Sequence, residues 1–298
     1  MLLARAPFPG LSTRSSPAAL GAGMVALWLS TGCSAGVAAP GDVDADVAPT
    51  QAAFVLLEHR ATGDTVRTSA NARLLRVRGT SLDEAALRLA GVHVDLPSQG
   101  TCITITRDQE SAGTAHGVEL METGAVSLES LLGKTSLQPR QVPDPLGRVT
   151  GVLYVAASPE ALPPGANLTD LAGTSLRVTT GSVGDLLTAQ AQVPADLGPV
   201  RLGNQELGRG EVVLPGPSAE LTWDPSDDAR DLVYVDLATA AGAQRCAFAD
   251  AAGRASLAIQ ESGSVAVHRL RRERVSLRGF ETAEVRFDFA RTGSVLRK

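Results

Sequence analysis

Aromatic side chains are scarce in this sequence, at 3% of 298 residues. Few rings are left to spare for a stacking platform, and a core must be built mainly from Leu, Val and Ala. Catalytic signatures are also missing. There is no G-x-S-x-G elbow and no H-E-x-x-H pair. Gly133-Lys134-Thr135 ends like a phosphate-binding loop, but Leu128 stands where the first glycine belongs, so the phosphate cradle is absent. The four histidines, His59, His93, His116 and His268, lie far apart with no i, i+4 partner. Each is read as solvated or hydrogen-bonded, because zinc ligation needs donors brought together. Positive charge is short as well: the formal net charge is −5. Nucleic-acid binding needs a positive field to neutralise phosphates, so no nucleic-acid partner is expected. No cofactor is expected either.

No acidic residue precedes Asp42, whereas Arg5 and Arg14 lie ahead of an apolar stretch from Ala18 to Leu29. That stretch has the length of a secretory signal core and is too short to span a bilayer, which takes about 20 residues. Losing Arg5 and Arg14 with a cleaved signal takes the formal charge from −5 to −7. From Ala35 to about Thr50 the chain is Ala, Gly, Pro, Val and Asp, the composition of a flexible tether. Asp42, Asp44 and Asp46 alternate there, but the further oxygen ligands of a calcium loop do not follow.

Beyond the tether, strand-like runs recur between turn residues. They include Ala53 to His59, Arg73 to Arg78, Thr101 to Thr106, Val118 to Met121, Ala125 to Leu128, Val149 to Ala156 and Ser175 to Thr180. Ser81-Leu82-Asp83-Glu84 predicts a capping box opening one short helix that Gly91 ends. Proline and glycine near Pro194 to Pro199 predict a domain boundary. The C-terminal part alternates most clearly: Val285, Phe287 and Phe289 oppose Glu284, Arg286 and Asp288. This pattern predicts one strand face on a core and the other in water. The expected fold is mainly β, with two β-sandwich-like domains and one short helix. The expected division is signal 1–32, tether 33–50, a β-rich domain 51–194 and a β-sandwich domain 195–298.

Two resemblances carry further expectations. Leu29-Ser30-Thr31-Gly32-Cys33 resembles the lipobox of bacterial lipoproteins, although Ser30 stands where that family usually has Leu. The resemblance implies acylation of Cys33, with simple secretion as the alternative. Two or more acyl chains anchor a protein stably. Ser34 follows where an inner-membrane protein commonly has Asp, which favours the outer membrane. Separately, Leu221-Thr222-Trp223-Asp224-Pro225 followed by Tyr234-Val235-Asp236-Leu237 resembles two strands of fibronectin type III-like sandwiches. That likeness covers about 20 residues, implies a Trp packed between sheets, and lacks the tyrosine corner. The whole is similar in style to β-rich envelope lipoproteins, a likeness with no activity attached.

Four candidate sites follow. Cys33 is the lipidation site. Cys102 and Cys246 either form a disulfide in an oxidising compartment or remain two buried thiols. Asp224, Asp227, Asp228 and Asp231 crowd one loop and read first as an acidic turn, second as a calcium site. Arg269, Arg271, Arg272 and Arg274 form the densest basic run. They read first as a solvated edge strand, second as a contact for anionic lipid or polysaccharide. The expected protein is a non-enzymatic envelope lipoprotein, bound to the membrane through its lipid and contacting another envelope protein or polysaccharide. The alternatives are a carbohydrate- or other ligand-binding module and a secreted hydrolase.

Overall fold

The computed structural model describes residues 49–77, 82–105, 118–142, 148–156, 168–182 and 185–298, which belong to one compact unit. The expected signal peptide, Cys33, nearly all of the tether and His116 lie outside them. Strands β1 (Thr50–Thr62) and β2 (Thr65–Val77) form a hairpin. Helix α1 (Glu84–Leu89) and an extended strap then lead to β3 (Thr101–Ile105). Next come β4 (Val118–Leu120), β5 (Ala125–Ser130), β6 (Gly133–Gln141), β7 (Val149–Ala156), β8 (Ser175–Ser182) and β9 (Asp185–Gln192). The C-terminal strands are β10 (Arg201–Leu202), β11 (Gln205–Glu206), β12 (Val212–Leu214), β13 (Ser218–Thr222), β14 (Asp231–Thr239) and β15 (Gly242–Ala249). They end with β16 (Arg254–Ala258), β17 (Gly263–Arg274) and β18 (Thr282–Arg297). The protein is mainly β.

One long sheet runs β3-β15-β14-β17-β18-β1-β2-β4-β7-β6-β5-β8-β9, with β12 beside the end of β18. A small sheet, β11-β10-β13-β16, lies over part of it. Alternation sends Val55, Leu57, Phe287 and Phe289 to one face, where they join Val126, Leu128 and Leu176 from the far strands. The long sheet therefore curls back over itself there. On the same face, Val233, Val235 and Val267 meet Leu221, Trp223 and Leu257 of the small sheet. The two sandwich-like cores thus share one sheet. Residues on either side of the expected boundary near 194 are joined by β1, which pairs in parallel with β18 from Ala52↔Thr282 to Thr62↔Thr292.

The opposite face of β18 departs from expectation. Glu284 and Arg286 are buried like Phe287, not in water. The reason is α1 and the strap: Ala86 and the C-cap Ala90 of the helix and Val92 of the strap cover Phe54, Leu56, Leu75 and Val77 on that face. Helix α1 also starts differently. Its N-cap is Asp83, whose carboxylate accepts from Ala86 N at 2.8 Å, and Ser81 lies outside the described residues. Its end is the expected one. Gly91 has φ +64°, and the bonds Gly91 N→Arg88 O and Val92 N→Leu87 O close a Schellman motif.

The expected strands do not include β6 and β9, nor the short β10, β11, β12 and β16. Ala189 and Ala191 turn inward on β9, and alanine gives a weak alternation signal. On β6, Pro139 argues against a strand. It is tolerated because it pairs with Tyr154 of β7, beyond Val126↔Leu137, the last pair with β5. Finally, β17 is no edge strand: it lies between β14 and β18.

Candidate functional site

The arginine run of β17 divides by parity. Arg269 and Arg271 point to the face that carries the two cores and are 0% and 3% exposed, so they are not available to an anionic partner. Arg269 Nε and Nη2 donate to the Asp250 carboxylate at 2.8 and 2.9 Å. Its remaining donors reach the carbonyls of Ala195, Asp196 and Asp224. All five N–H groups of the guanidinium are used. Arg271 forms a two-pronged pair with Asp231 at 2.6 and 2.7 Å, and Arg291 pairs with Asp196. The Arg269 and Arg271 pairs form a buried seam between the two cores, and with the half-buried Arg291–Asp196 pair they hold the connecting segment near residues 195–197 in place. Arg272 and Arg274 point the other way and are exposed, with Arg272 paired to Glu284 at 2.8 Å.

The same seam consumes half of the acidic loop. Asp231 is bound to Arg271. Asp228 is chelated by Arg230, whose hydrogen bonds hold its carboxyl far below the usual carboxylate range. Asp224 and Asp227 are exposed. Among the described residues these four carboxylates do not form a group of three or more donors close enough to share one ion, and Asp228 and Asp231 are engaged by guanidinium groups. Trp223 is 4% exposed, and its Nε1 donates to Asp250 Oδ1 at 2.8 Å, so it is a core residue and not a sugar platform.

Cys102 and Cys246 stand opposite one another in the β3–β15 register and are joined as a disulfide. Above β15 the strap is tied down by three arginines. Arg73 donates to Ala90 O, Arg286 to Val92 O at 2.6 Å, and Arg245 to Asp95 O at 3.1 Å. Near this strap, facing Leu96, Tyr234 stacks on His268 with ring centroids 4.2 Å apart. The Tyr234 hydroxyl donates to Asp288 Oδ2 at 2.7 Å, and His268 Nδ1 lies 2.8 Å from Oδ1. Burial, then the Asp288 charge, pushes the Tyr234 phenol well above its ordinary value. Burial opposes ionisation of Asp288, but His268 and the two hydrogen bonds outweigh it and hold that carboxyl low. His268 is thus joined to a carboxylate, as a catalytic base is, yet its ring is only 4% exposed and a substrate has no ready access.

His93 also meets carboxylates, at the surface. Its Nε2 lies 3.1 Å from Glu84 Oε1 and 3.0 Å from Asp95 Oδ1. Arg88 Nη2 contacts the same two oxygens at 2.6 and 2.5 Å. The Arg88 hydrogen bond draws the Asp95 carboxyl below its ordinary value. Isolated histidines in the sequence concealed this group. Its only local signals are the i, i+4 spacing of Glu84 and Arg88 and the His93-x-Asp95 step, which puts both side chains on one side of an extended chain.

Two further exposed features stand out among the described residues. A cleft of 310 Å³ opens beside the β14–β15 turn, lined by Leu237, Ile259 and Val265 together with Thr104, Gln244 and Glu261. At the β5–β6 turn, Leu131 is 81% exposed and Leu132 49%. No described helix is long and apolar enough to cross a membrane.

No family model and no curated protein matches the chain. Several solved structures are similar in part, two of which are fibronectin type III proteins. One is a segment of two fibronectin type III domains from chicken tenascin, 12% identical, with a TM-score of 0.21, covering 83% of this chain and 98% of that one. The other is the FN1–FN3 domains of chicken CNTN1, 8% identical, with a TM-score of 0.17, covering 82% and 65%. At these scores neither likeness carries a structural or functional argument; what stands is the β-sandwich character seen in the strands themselves.

Proposed function

We propose that this chain is a non-enzymatic envelope lipoprotein: a β module moored by acylated Cys33 through the tether ending near residue 50, with structural or protein-contact roles. The observation that carries the reading is the Cys102–Cys246 disulfide behind a lipobox-like leader. Structural disulfides persist in oxidising compartments such as the periplasm and cell surface and are rare in the cytosol. Leu131 and Leu132 offer an apolar point of contact for a partner. The reading is non-enzymatic because His268 and its carboxylate are spent on a buried hydrogen-bonded stack and the buried arginines on ion pairs.

The deciding experiment is Cys33→Ala with membrane fractionation and intact-mass analysis. The wild-type chain is expected in the membrane fraction with the mass of a processed, acylated protein, and the variant in the soluble fraction. A variant that stays membrane-bound, or a wild type that is unprocessed and cytosolic, overturns the reading.

The cleft favours a second role, binding of a small ligand, since its volume is at the lower end of the roughly 300–1,000 Å³ typical of ligand pockets. Titration with small apolar and sugar probes, followed by amide shifts at Gln244 and Glu261, tests it. Unmoved signals across the probe set sink it.

A further inference from the structure

We propose that Glu84, His93 and Asp95 form a binding site for a zinc-like divalent cation, with which Arg88 competes for the two carboxylates. The three residues offer one imidazole nitrogen and two carboxylate oxygens, all within 4.8 Å of one another. Zinc bonds of about 2.0–2.2 Å in a tetrahedral site place donor atoms about 3.3–3.6 Å apart. His93 Nε2 is already 3.1 and 3.0 Å from the two oxygens, close to that spacing, and the two oxygens lie within 4.8 Å of one another. A histidine with two carboxylates suits zinc and its late first-row neighbours, while magnesium prefers an octahedral shell of oxygens.

Backbone placement is firm. Glu84 lies in the first turn of α1, behind the Asp83 cap. The His93 amide donates to Leu87 O at 3.1 Å, and the Asp95 carbonyl accepts from Arg245 at 3.1 Å. Access is open: the side chains of Glu84 and Asp95 are 56% and 46% exposed and that of His93 is 19%. Three protein ligands leave a fourth position for water or a donor from a partner. Arg88 is a monovalent cation bound to the same two oxygens, and its side chain, 30% exposed, has solvent to swing into. A bound ion would clip α1 to the strap, the element that closes the second face of the sheet.

The test uses the untagged mature chain, titrated calorimetrically with Zn²⁺ and with Mg²⁺, for the wild type, His93→Ala, Asp95→Asn and Arg88→Ala. Circular dichroism checks that each variant is folded. The expectation is one Zn²⁺ per chain, with Mg²⁺ at least 100-fold weaker. His93→Ala and Asp95→Asn should each lose at least tenfold in affinity, and Arg88→Ala should gain because its competing charge is gone. Cobalt substitution should give the visible absorption of a tetrahedral site. No binding by wild type and Arg88→Ala, undiminished binding by His93→Ala, or equal affinity of Arg88→Ala and wild type each overturn the proposal.

Discussion

Arg269 carries a full charge to a position with no exposed surface, and the cost of desolvation is met because every donor is bound. Removing it strands Asp250, which is equally enclosed. Arg269→Met is expected to destabilise the protein by about 3–5 kcal/mol, the usual cost of breaking a buried pair from one side. Replacing both partners, Arg269→Met with Asp250→Leu, should recover much of that loss, although Trp223 Nε1 then keeps only the carbonyl of residue 250 as acceptor. Urea unfolding measures both, and a single-variant loss below about 1 kcal/mol contradicts the assigned role.

His59 belongs to the same scale. Burial lowers its pKa from 6.5, against the raising influence of Asp196 and Asp170 and with help from Arg291. The folded state therefore keeps a neutral ring, hydrogen-bonded to Thr68 at 3.1 Å, while the unfolded chain takes up a proton first. Its stabilising contribution is complete above pH 6.5 and is lost as pH falls through the lower folded value. Melting temperature should decline below pH 6.5 more steeply in wild type than in His59→Gln, and superimposable profiles would refute this. Glu284 is also held low: burial opposes its ionisation, but Arg272 and Arg286 prevail. Its contribution is complete above 4.5, so it adds a separate loss at more acid pH.

At the scale of elements, the strap and β3 depend on few fastenings. Strand β3 is an edge, and four of its five residues are exposed. Its anchors are pairing with β15, Gly100 N→Ala247 O at 2.7 Å, and the disulfide. That bridge spans a sequence separation of 144, for which the chain-entropy model gives about 4–5 kcal/mol. Cys102→Ala should lower stability by up to that amount. It should also raise amide exchange at residues 101–105 before exchange rises in β14 and β17. Uniform exchange across all three strands would show that β3 is not held by the bridge.

For the whole molecule, the parallel pairing of β1 with β18 matters most. Val55 and Leu57 bury against Phe287 and Phe289 across residues separated by most of the chain. Fragments cut at 194/195 should each remain unfolded or aggregate when expressed alone. When co-expressed they should copurify, as judged by circular dichroism and size exclusion. A cooperatively folded 195–298 fragment would show that this pairing is dispensable.

Period-two alternation was enough to locate Val285 to Phe289 as a strand, because local side-chain direction depends only on the backbone repeat. The disulfide could be named as a possibility from two cysteines, but only the β3–β15 register brings them opposite each other. Whether a charged face met water was beyond the reach of local pattern. Glu284 and Arg286 look solvated until the strap closes over them, and Arg269 looks like an edge residue until β14 and β18 flank its strand. The amino-acid order by itself determined which residues alternate and where turns interrupt them. Tertiary structure decided what covers each face, since burial of a charge depends on partners such as Asp250 and Asp231 that arrive from distant parts of the chain.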